Sequence, residues 1–270
     1  MFLRTNTALS RAAATSAART LDPTDPRSWE FCAFSQNQED GIIDYLCRRV
    51  RRPNRYFVEI GAGNGQENNS SWLAVGLRFN GLMIDGNPTS IEQCRRLLGE
   101  FTLNVQARAM FVEPETCAEI ARLAVHQDPD FLSLDIDGVD YFVMSALVDA
   151  GLRPKIVAVE YNSAYGPDKK LAVQYRPGFR YLEAHASGLY YGTSVAGWRA
   201  FFERRGYRFI AVDGNGVNAF FVDTNAFDAA FIDNVRGATF QENFYQTSKY
   251  RTSWEEQFAL IRHLDFLEIA

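Results

Sequence analysis

The stretch "VEIGAGNGQE" (58–67) decides the fold class, because it joins a buried apolar segment to a group of glycines. The segment "RYFVEIGAG" (55–63) is a short apolar run that ends in glycines, which indicates a buried strand followed by a tight turn. Gly61, Gly63 and Gly65 allow such a turn and let a ligand approach the backbone closely. Ligands of open α/β sheets bind at the carboxyl ends of strands, so this turn is a candidate binding site.

Outward from this turn, helical spacing alternates with short apolar runs, as in "EDGIIDYLCRRV" (39–50) before the first strand. The predicted parallel strands are 55–63, 82–85, 102–107, 130–136 and 155–161. Two more apolar runs within 207–222 flank "DGNG" (213–216), which has strong hairpin-turn chemistry. This order predicts an α/β, doubly wound, Rossmann-like fold with a seven-stranded, mostly parallel sheet and an antiparallel C-terminal hairpin.

Composition excludes several classes of function. The 270 residues carry a net charge of −5, and no basic face indicates a nucleic-acid partner. No apolar stretch approaches the ~20 residues of a membrane span. Four cysteines without a CxxC pair argue against a zinc knuckle or a disulfide scaffold and predict a cytoplasmic protein. Residues 1–21 contain arginines but no acids, which is typical either of an Ala-rich tail, the preferred interpretation, or of a mitochondrial transit peptide.

The spacing of the glycines separates two classes of nucleotide-binding turn. A dinucleotide-binding fingerprint would have its third glycine at position 66, where this chain has Gln66. Alternate glycines preceded by an acid, here Glu59, match instead the turn of class I methyltransferases. Asp85 ends the second strand about 20 residues beyond the glycines, where an acid binds the hydroxyls of a ribose.

At this level of detail the chain resembles the FkbM-type branch of S-adenosylmethionine-dependent methyltransferases, over roughly residues 35 to 222. The matching motifs are "SQNQEDGII", "VEIGAGNG", "LMIDGNP", "LDIDGVDY", "VEYN" and "GVNAFFV". The resemblance implies an enzyme that methylates a hydroxyl of a sugar, a glycan or a small natural product. One departure is that Asp137 and Asp140 stand where the family has glutamates.

The resemblance also predicts how the chain is divided and where the cofactor binds. Residues 1–34 are expected to form an N-terminal tail, 35–222 the methyltransferase domain, and 223–270 a helical extension. Within the domain, 163–191 is an insertion with five tyrosines, expected to form a lid over a small-molecule or carbohydrate acceptor. S-adenosylmethionine is expected to contact the following residues: Gln36, Glu59, Gly61, Gly63, Gly65 and Asp85.

A second candidate site lies in "FLSLDIDGVDY" (131–141). Asp135 and Asp137 are two apart on a segment read as extended, so their side chains should point to the same side of the sheet. Glu160 and Asn162 end the neighbouring strand with the same spacing. These four residues are predicted to form an all-oxygen site suited to Mg²⁺ or Ca²⁺ rather than to a transition metal. The arrangement resembles that of catechol-type, metal-dependent O-methyltransferases.

Other interpretations of the acidic cluster stay open. Asp135, Asp137 and Glu160 are the predicted catalytic residues, and without a metal one of the aspartates would act as general base. Alternatively, Asp137 and Asp140 cap the helix that starts near Val139. His185 is a further candidate base, although a surface histidine is the simpler interpretation. A protein that keeps the fold for binding or assembly without turnover is the alternative from another functional class.

Overall fold

The computed structural model describes residues 20–101 and 104–270. The interpretation of residues 1–21 as an Ala-rich tail or transit peptide therefore falls almost entirely outside the described residues, as do the first two residues of the predicted strand 102–107. The rest of the predicted tail 1–34 is described and includes the short helix Pro26–Trp29, in which Trp29 is buried. Among the helices that are described, none has both the length and the hydropathy needed to cross a membrane.

A seven-stranded sheet forms the centre of the molecule, in the order β3-β2-β1-β4-β5-β8-β7. The first five strands are parallel, whereas β8 runs antiparallel to both β5 and β7. This arrangement confirms the predicted doubly wound sheet with a C-terminal hairpin. The strands are β1 Tyr56–Ile60, β2 Asn80–Asp85, β3 Val105–Ala109, β4 Phe131–Leu134, β5 Ile156–Glu160, β7 Tyr207–Val212 and β8 Asn218–Asp223.

Helices cover both faces of the sheet. Val58 and Ile60 of β1 pack into one apolar core, whereas Phe57 packs into the other, which is why apolar residues occur at successive positions of this strand. The helices are α1 Pro26–Trp29, α2 Glu39–Cys47, α3 Pro88–Gly99, α4 Cys117–Leu123, α5 Asp140–Asp149, α6 Tyr181–Ala184, α7 Val195–Glu203, α8 Ala229–Asn234, α9 Phe244–Tyr250 and α10 Trp254–Ile261.

Strands β1 and β4 are neighbours, and this places two predicted segments side by side. Ile60 pairs with Leu134 at the carboxyl ends of these strands. The glycine turn after β1 and the acidic segment after β4 therefore leave the sheet at the same edge. Strand β5 lies next to β4 and ends at Glu160, so its carboxylate reaches that edge as well.

Several boundaries differ from the predictions. Between β1 and β2, the only helical structure among the described residues is one π-helical turn, Trp72–Gly76, preceded by a bend in which Asn68 accepts from the amide of Ser71. The cap of α3 is Asn87, which accepts from the amides of Thr89 and Ser90, and Pro88 is the first helical residue. Strand β4 ends at Leu134, two residues earlier than expected.

The insertion 163–191 and the C-terminal segment are joined by a small second sheet. Strand β6, Leu171–Val173, pairs antiparallel with strand β9, Phe266–Glu268. Three of the five insertion tyrosines (Tyr165, Tyr190 and Tyr191) are buried. These three rings therefore pack the molecule rather than forming an exposed platform. The assignment of 163–191 as a lid and of 223–270 as a separate unit remains a prediction.

Candidate active site

The glycine turn lies directly against the end of β4. Gly61 has a φ of +90°, and a Cβ at this position would lie 1.6 Å from the carbonyl oxygen of Asp135. The amides of Gly61 and Ala62 both donate to the carbonyl of Ile84 at the end of β2. Only glycine permits this contact, which holds the turn close to the acidic segment.

Asp85 connects the glycine turn to helix α3. One carboxylate oxygen accepts from the amide of Gly63 at 2.8 Å, and the other accepts from the amide of Asn87 at 2.7 Å. The side chain is only half-buried, so it keeps a face toward the adjoining cavity. Asp85 thus orients the turn, and it lines the cavity in which its predicted partner, a ribose, would lie.

A cavity of about 640 Å³ opens above these strand ends. Its floor includes Gly61, and its walls come from the segment after β3, from the acidic segment after β4 and from the insertion. The lining residues are Gly61, Asp85, Gly86, Asn87, Pro88, Phe111, Val112, Glu113, Asp135, Ile136, Asp137, Gly138, Val139, Phe179 and Arg180. The volume is in the range of small-molecule sites.

The structure brings together Asp135, Asp137 and Glu160. Each offers a carboxylate oxygen, and these oxygens all lie within 4.8 Å of one another. The expected reason for this convergence was wrong, because Asp135 and Asp137 lie beyond the end of β4 and not on an extended strand. Instead, Asp137 has a left-handed backbone with a φ of +51°, which turns the chain, and its carboxylate lies beside those of Asp135 and Glu160.

Asp140 holds that turn in place. Its carboxylate accepts from the amide of Ile136 at 3.0 Å and from the amide of Gly138 at 2.9 Å. Asp140 is the first residue of α5 and is buried. The N-cap of α5 is Val139, and no side chain caps this helix, so the capping interpretation was wrong for both aspartates. Asp140 instead holds the turn before the helix, and Asp137 belongs to the cluster.

Burial and mutual repulsion raise the pKa of all three carboxyl groups in the cluster. Burial, followed by the charges of Asp137 and Asp140, raises the pKa of Asp135 well above its ordinary value. Burial and the charge of Asp140 raise the pKa of Asp137 to about 6. Burial, then the charge of Asp135, raises the pKa of Glu160 as well. Three ionised carboxylates at this spacing repel one another, so the cluster favours binding of protons or of a cation.

The two predicted ligands at the carboxyl end of β5, Glu160 and Asn162, have different surroundings. Glu160 accepts a hydrogen bond from the hydroxyl of Tyr191 at 3.3 Å on Oε1, and among the described residues no donor reaches Oε2. Asn162 is fully buried and its amide is engaged: it donates to the carbonyls of Leu189 and Tyr191. Its oxygen accepts from the amide of Ala164 and from Gln246. The structure thus groups Glu160 with the aspartates, whereas Asn162 braces the neighbouring loop.

A smaller cavity, about 100 Å³, lies on the other side of Gly61 and shares Asp135 with the first. The predicted residues Gln36 and Glu59 both line it. Gln36 donates to the carboxylate of Glu67 at 3.2 Å, and Glu59 accepts from the amide of Asn69 at 3.2 Å. Burial raises the pKa of Glu59 to about 7. The two cavities together follow the strand ends from Gln36 to Asp85.

The comparison with protein families decides which enzymes this arrangement belongs to. A sequence model of the methyltransferase FkbM domain matches residues 26–209, more than half of the chain. The chain belongs to the FkbM methyltransferase family. The family and the observed sheet order make it an S-adenosylmethionine-dependent methyltransferase. A search of curated proteins found no significant match.

Solved structures show similar chain traces at low identity. An O-methyltransferase from Bacillus cereus in complex with SAH is 15% identical, with 81% of this chain and 88% of that chain covered and a TM-score of 0.43. Cofactor-bound Rv0187 from MTB is 18% identical, with 80% and 89% covered and a TM-score of 0.45. At these TM-scores the likeness carries no weight for the reaction of this FkbM methyltransferase.

Some residues of the site were missed from the sequence. Gln246 lies in the segment after β8, for which no pattern indicated a role, yet its side chain bonds to Tyr191 beside Glu160. Phe179 and Arg180 reach the larger cavity from the insertion, and an aromatic next to a cation in a loop was the only available signal. The candidate base His185 pairs with Ser187 at 2.8 Å and does not line either cavity.

Proposed function

We propose that this FkbM methyltransferase transfers a methyl group from S-adenosylmethionine to a hydroxyl of a sugar, a glycan or a small natural product. The observation that carries the proposal is the group of three carboxylates within 4.8 Å at the wall of a cavity that also touches the glycine turn. In this arrangement the acceptor hydroxyl lies beside Asp135, Asp137 and Glu160.

The donor is proposed to lie along both cavities. The ribose would face Asp85, the backbone of Gly61 would line the middle, and the methionyl end would extend toward Glu59 and Gln36. Gly63 and Gly65 line neither cavity, so their role in this placement is to shape the turn. The support for this placement is that the two cavities meet at Gly61, the point of closest approach between the turn and β4. A cationic sulfonium near this meeting point would be stabilised by the adjacent carboxylates.

Acid–base chemistry explains why carboxylates of this kind suit the reaction. The sulfonium is already a good leaving group, so the step that needs help is removal of the proton from a weakly acidic acceptor hydroxyl. A general base is most effective when its pKa lies near the working pH, and the pKa of Asp137 is raised to about 6. Asp137 is also half-exposed to the cavity, where an acceptor can reach it.

The same carboxylates fit a divalent cation. The donor set consists of oxygens alone, and Oε2 of Glu160 has no donor among the described residues. Asp135, Asp137 and Glu160 would hold Mg²⁺, whose contribution is to orient a bound hydroxyl and lower its pKa. Asn162, the fourth predicted ligand, already uses its amide oxygen in two hydrogen bonds, so we propose three protein ligands. Without a metal, Asp137 acts directly as the base.

The acceptor is proposed to bind beneath the insertion 163–191. The reaction is proposed to take place in the cytoplasm. Phe179 and Arg180 of the insertion and Phe111 from the segment after β3 line the cavity, and Phe111 is 44% exposed. Flat aromatic faces pack against the apolar faces of sugar rings, which supports a carbohydrate or a similarly compact ring as acceptor.

An assay of S-adenosylhomocysteine release tests the proposal. The enzyme and S-adenosylmethionine are incubated with a panel of methyl glycosides, with catechol as a matched non-sugar diol. We expect release above background with at least one hydroxyl acceptor, and the rate should fall after treatment with EDTA and return with Mg²⁺. No release with any acceptor would contradict the proposed reaction, whereas a rate indifferent to EDTA would contradict only the metal.

A further inference from the structure

A continuous chain of hydrogen bonds connects the C-terminal segment to the acidic cluster. It starts at the backbone amide of Asn243, which donates to the hydroxyl of Ser163 at 2.9 Å. The hydroxyl of Ser163 and the side-chain oxygen of Gln246 are 3.0 Å apart. The amide nitrogen of Gln246 lies 3.0 Å from the hydroxyl of Tyr191, which in turn lies 3.3 Å from Glu160.

The backbone amide at the start of this series of hydrogen bonds determines which group donates and which accepts at each step. A main-chain amide can only donate, so Ser163 accepts from Asn243 and uses its own proton toward Gln246. The orientation of the Gln246 amide is set a second time at Asn162. The oxygen of Asn162 already accepts from the amide of Ala164, so the group facing it must be the nitrogen of Gln246. Gln246 therefore donates to Tyr191.

The consequence falls on Glu160. Because the hydroxyl of Tyr191 accepts from Gln246, its single proton is directed to Oε1 of Glu160. Oε1 is thus held by a donor, whereas no donor in the described part of the chain bonds to the buried Oε2. All members of the chain from Ser163 to Tyr191 are buried, so water does not compete for these bonds.

We propose that Tyr191 and Gln246 are positioning residues of the acid site, and that the C-terminal segment is therefore part of the active site. Gln246 orients the Tyr191 hydroxyl, and that hydroxyl fixes which oxygen of Glu160 faces the acceptor. Gln246 lies beyond residues 26–209, the part of the chain that matches the family. This inference rests on the proposed role of Glu160.

A double-mutant cycle tests the coupling. We would measure kcat with saturating S-adenosylmethionine and the methyl glycoside that reacts fastest, and the donor Kd by calorimetry, for Tyr191→Phe, Gln246→Met and the double variant. Tyr191→Phe should lower kcat about tenfold, as expected for an outer partner of a site carboxylate, with the donor Kd unchanged. The double variant should stay within about twofold of Tyr191→Phe, because the two residues act in series.

The direction of the hydrogen bond between Gln246 and Tyr191 gives a second test. Gln246→Glu replaces a donor by an acceptor, so Tyr191 would donate to position 246 and leave Glu160 without its hydrogen bond. This variant should be slower than Gln246→Met when Tyr191 is present and equal to it when Tyr191 is replaced by Phe. Equal rates in both backgrounds, or losses that multiply in the double variant, would overturn the inference.

Two control variants separate positioning from docking of the C-terminal segment. Tyr161→Phe removes the hydroxyl that donates to the carbonyl of Gln241, and Gln257→Leu removes a buried amide that donates to Thr252. Neither bond reaches Glu160, so both variants should keep kcat while lowering stability. A loss of kcat in these controls equal to that of Tyr191→Phe would overturn positioning in favour of docking. If Glu160→Gln keeps its rate, the proposed acid site itself fails; if only Tyr191→Phe keeps its rate, the inference alone fails.

Discussion

Gly61 is the residue on which the geometry of the whole site depends, because its backbone touches the end of β4. Gly61→Ala would place a Cβ 1.6 Å from the carbonyl oxygen of Asp135, at a φ of +90°. We expect the free energy of unfolding to fall by at least about 3 kcal/mol, the combined effect of a clash and of backbone strain. Urea unfolding followed by circular dichroism measures this change.

Gly63 provides the matched control for that experiment. Its φ is +53°, but a Cβ there would meet nothing within 4 Å. Gly63→Ala should therefore lose only about 1 kcal/mol, the strain of a left-handed alanine. Equal losses at the two positions would contradict the close contact between the turn and β4.

The acidic residues themselves were predictable, but their geometry was not. The motif order placed Asp135, Asp137 and Glu160 at one edge of the sheet, and the structure brings their carboxylates together. No feature of the sequence indicates that β4 stops at Leu134, because Ile136 continues the apolar alternation. The turn depends on the left-handed Asp137 and on the carboxylate of Asp140, and such local hydrogen bonds leave no periodic signal.

At the scale of elements, the C-terminal segment contributes more than its sequence indicated. Strand β9 has three residues and pairs with β6, far away along the chain. Phe266 of this strand contacts the rings of Tyr165 and Tyr190, each with a centroid separation of 5.2 Å. A three-residue strand has no readable periodicity, and a pairing over this separation is set by tertiary packing. Strands β1, β4 and β5 were predictable because each is a run of buried, mostly apolar residues.

Phe266→Ala tests whether this pairing holds the insertion in place. Loss of a half-buried ring should lower the free energy of unfolding by about 2 kcal/mol. Hydrogen exchange at the amides of Leu171–Val173 should accelerate more than exchange in β1. Phe244, which is 56% exposed in the same segment, supplies the control, and Phe244→Ala should change neither quantity. Unchanged exchange in β6 would show that β9 does not anchor the insertion.

For the whole molecule, buried carboxyl groups predict an unusual dependence of stability on pH. Burial raises the pKa to about 7 in Asp40, Glu59 and Asp213, whose ordinary values are 3.8 or 4.5. The folded state thus binds protons that the unfolded state has released. Stability is highest below the ordinary carboxyl pKa values and is lost as the pH rises through about 7.

Urea unfolding at a series of pH values measures this effect. The free energy of unfolding should be smaller at about pH 8 than at about pH 6, the reverse of proteins whose carboxyl pKa values are lowered on folding. In the proposed metal site, Mg²⁺ at the higher pH should restore part of the difference, because it binds the ionised carboxylates of the folded state. A free energy of unfolding that is constant or rises over this range would contradict the raised pKa values.

The central claim is that Glu160 and its two neighbouring aspartates act on the acceptor, while the glycine turn binds the donor. The most direct measurement compares Glu160→Gln with the unmodified enzyme for kcat of methyl transfer and for the Kd of S-adenosylmethionine. We predict that kcat falls by about 100-fold or more, as for loss of a group that acts on the acceptor, with the donor Kd unchanged. A variant that keeps its kcat, or that loses donor binding instead, would contradict the claim.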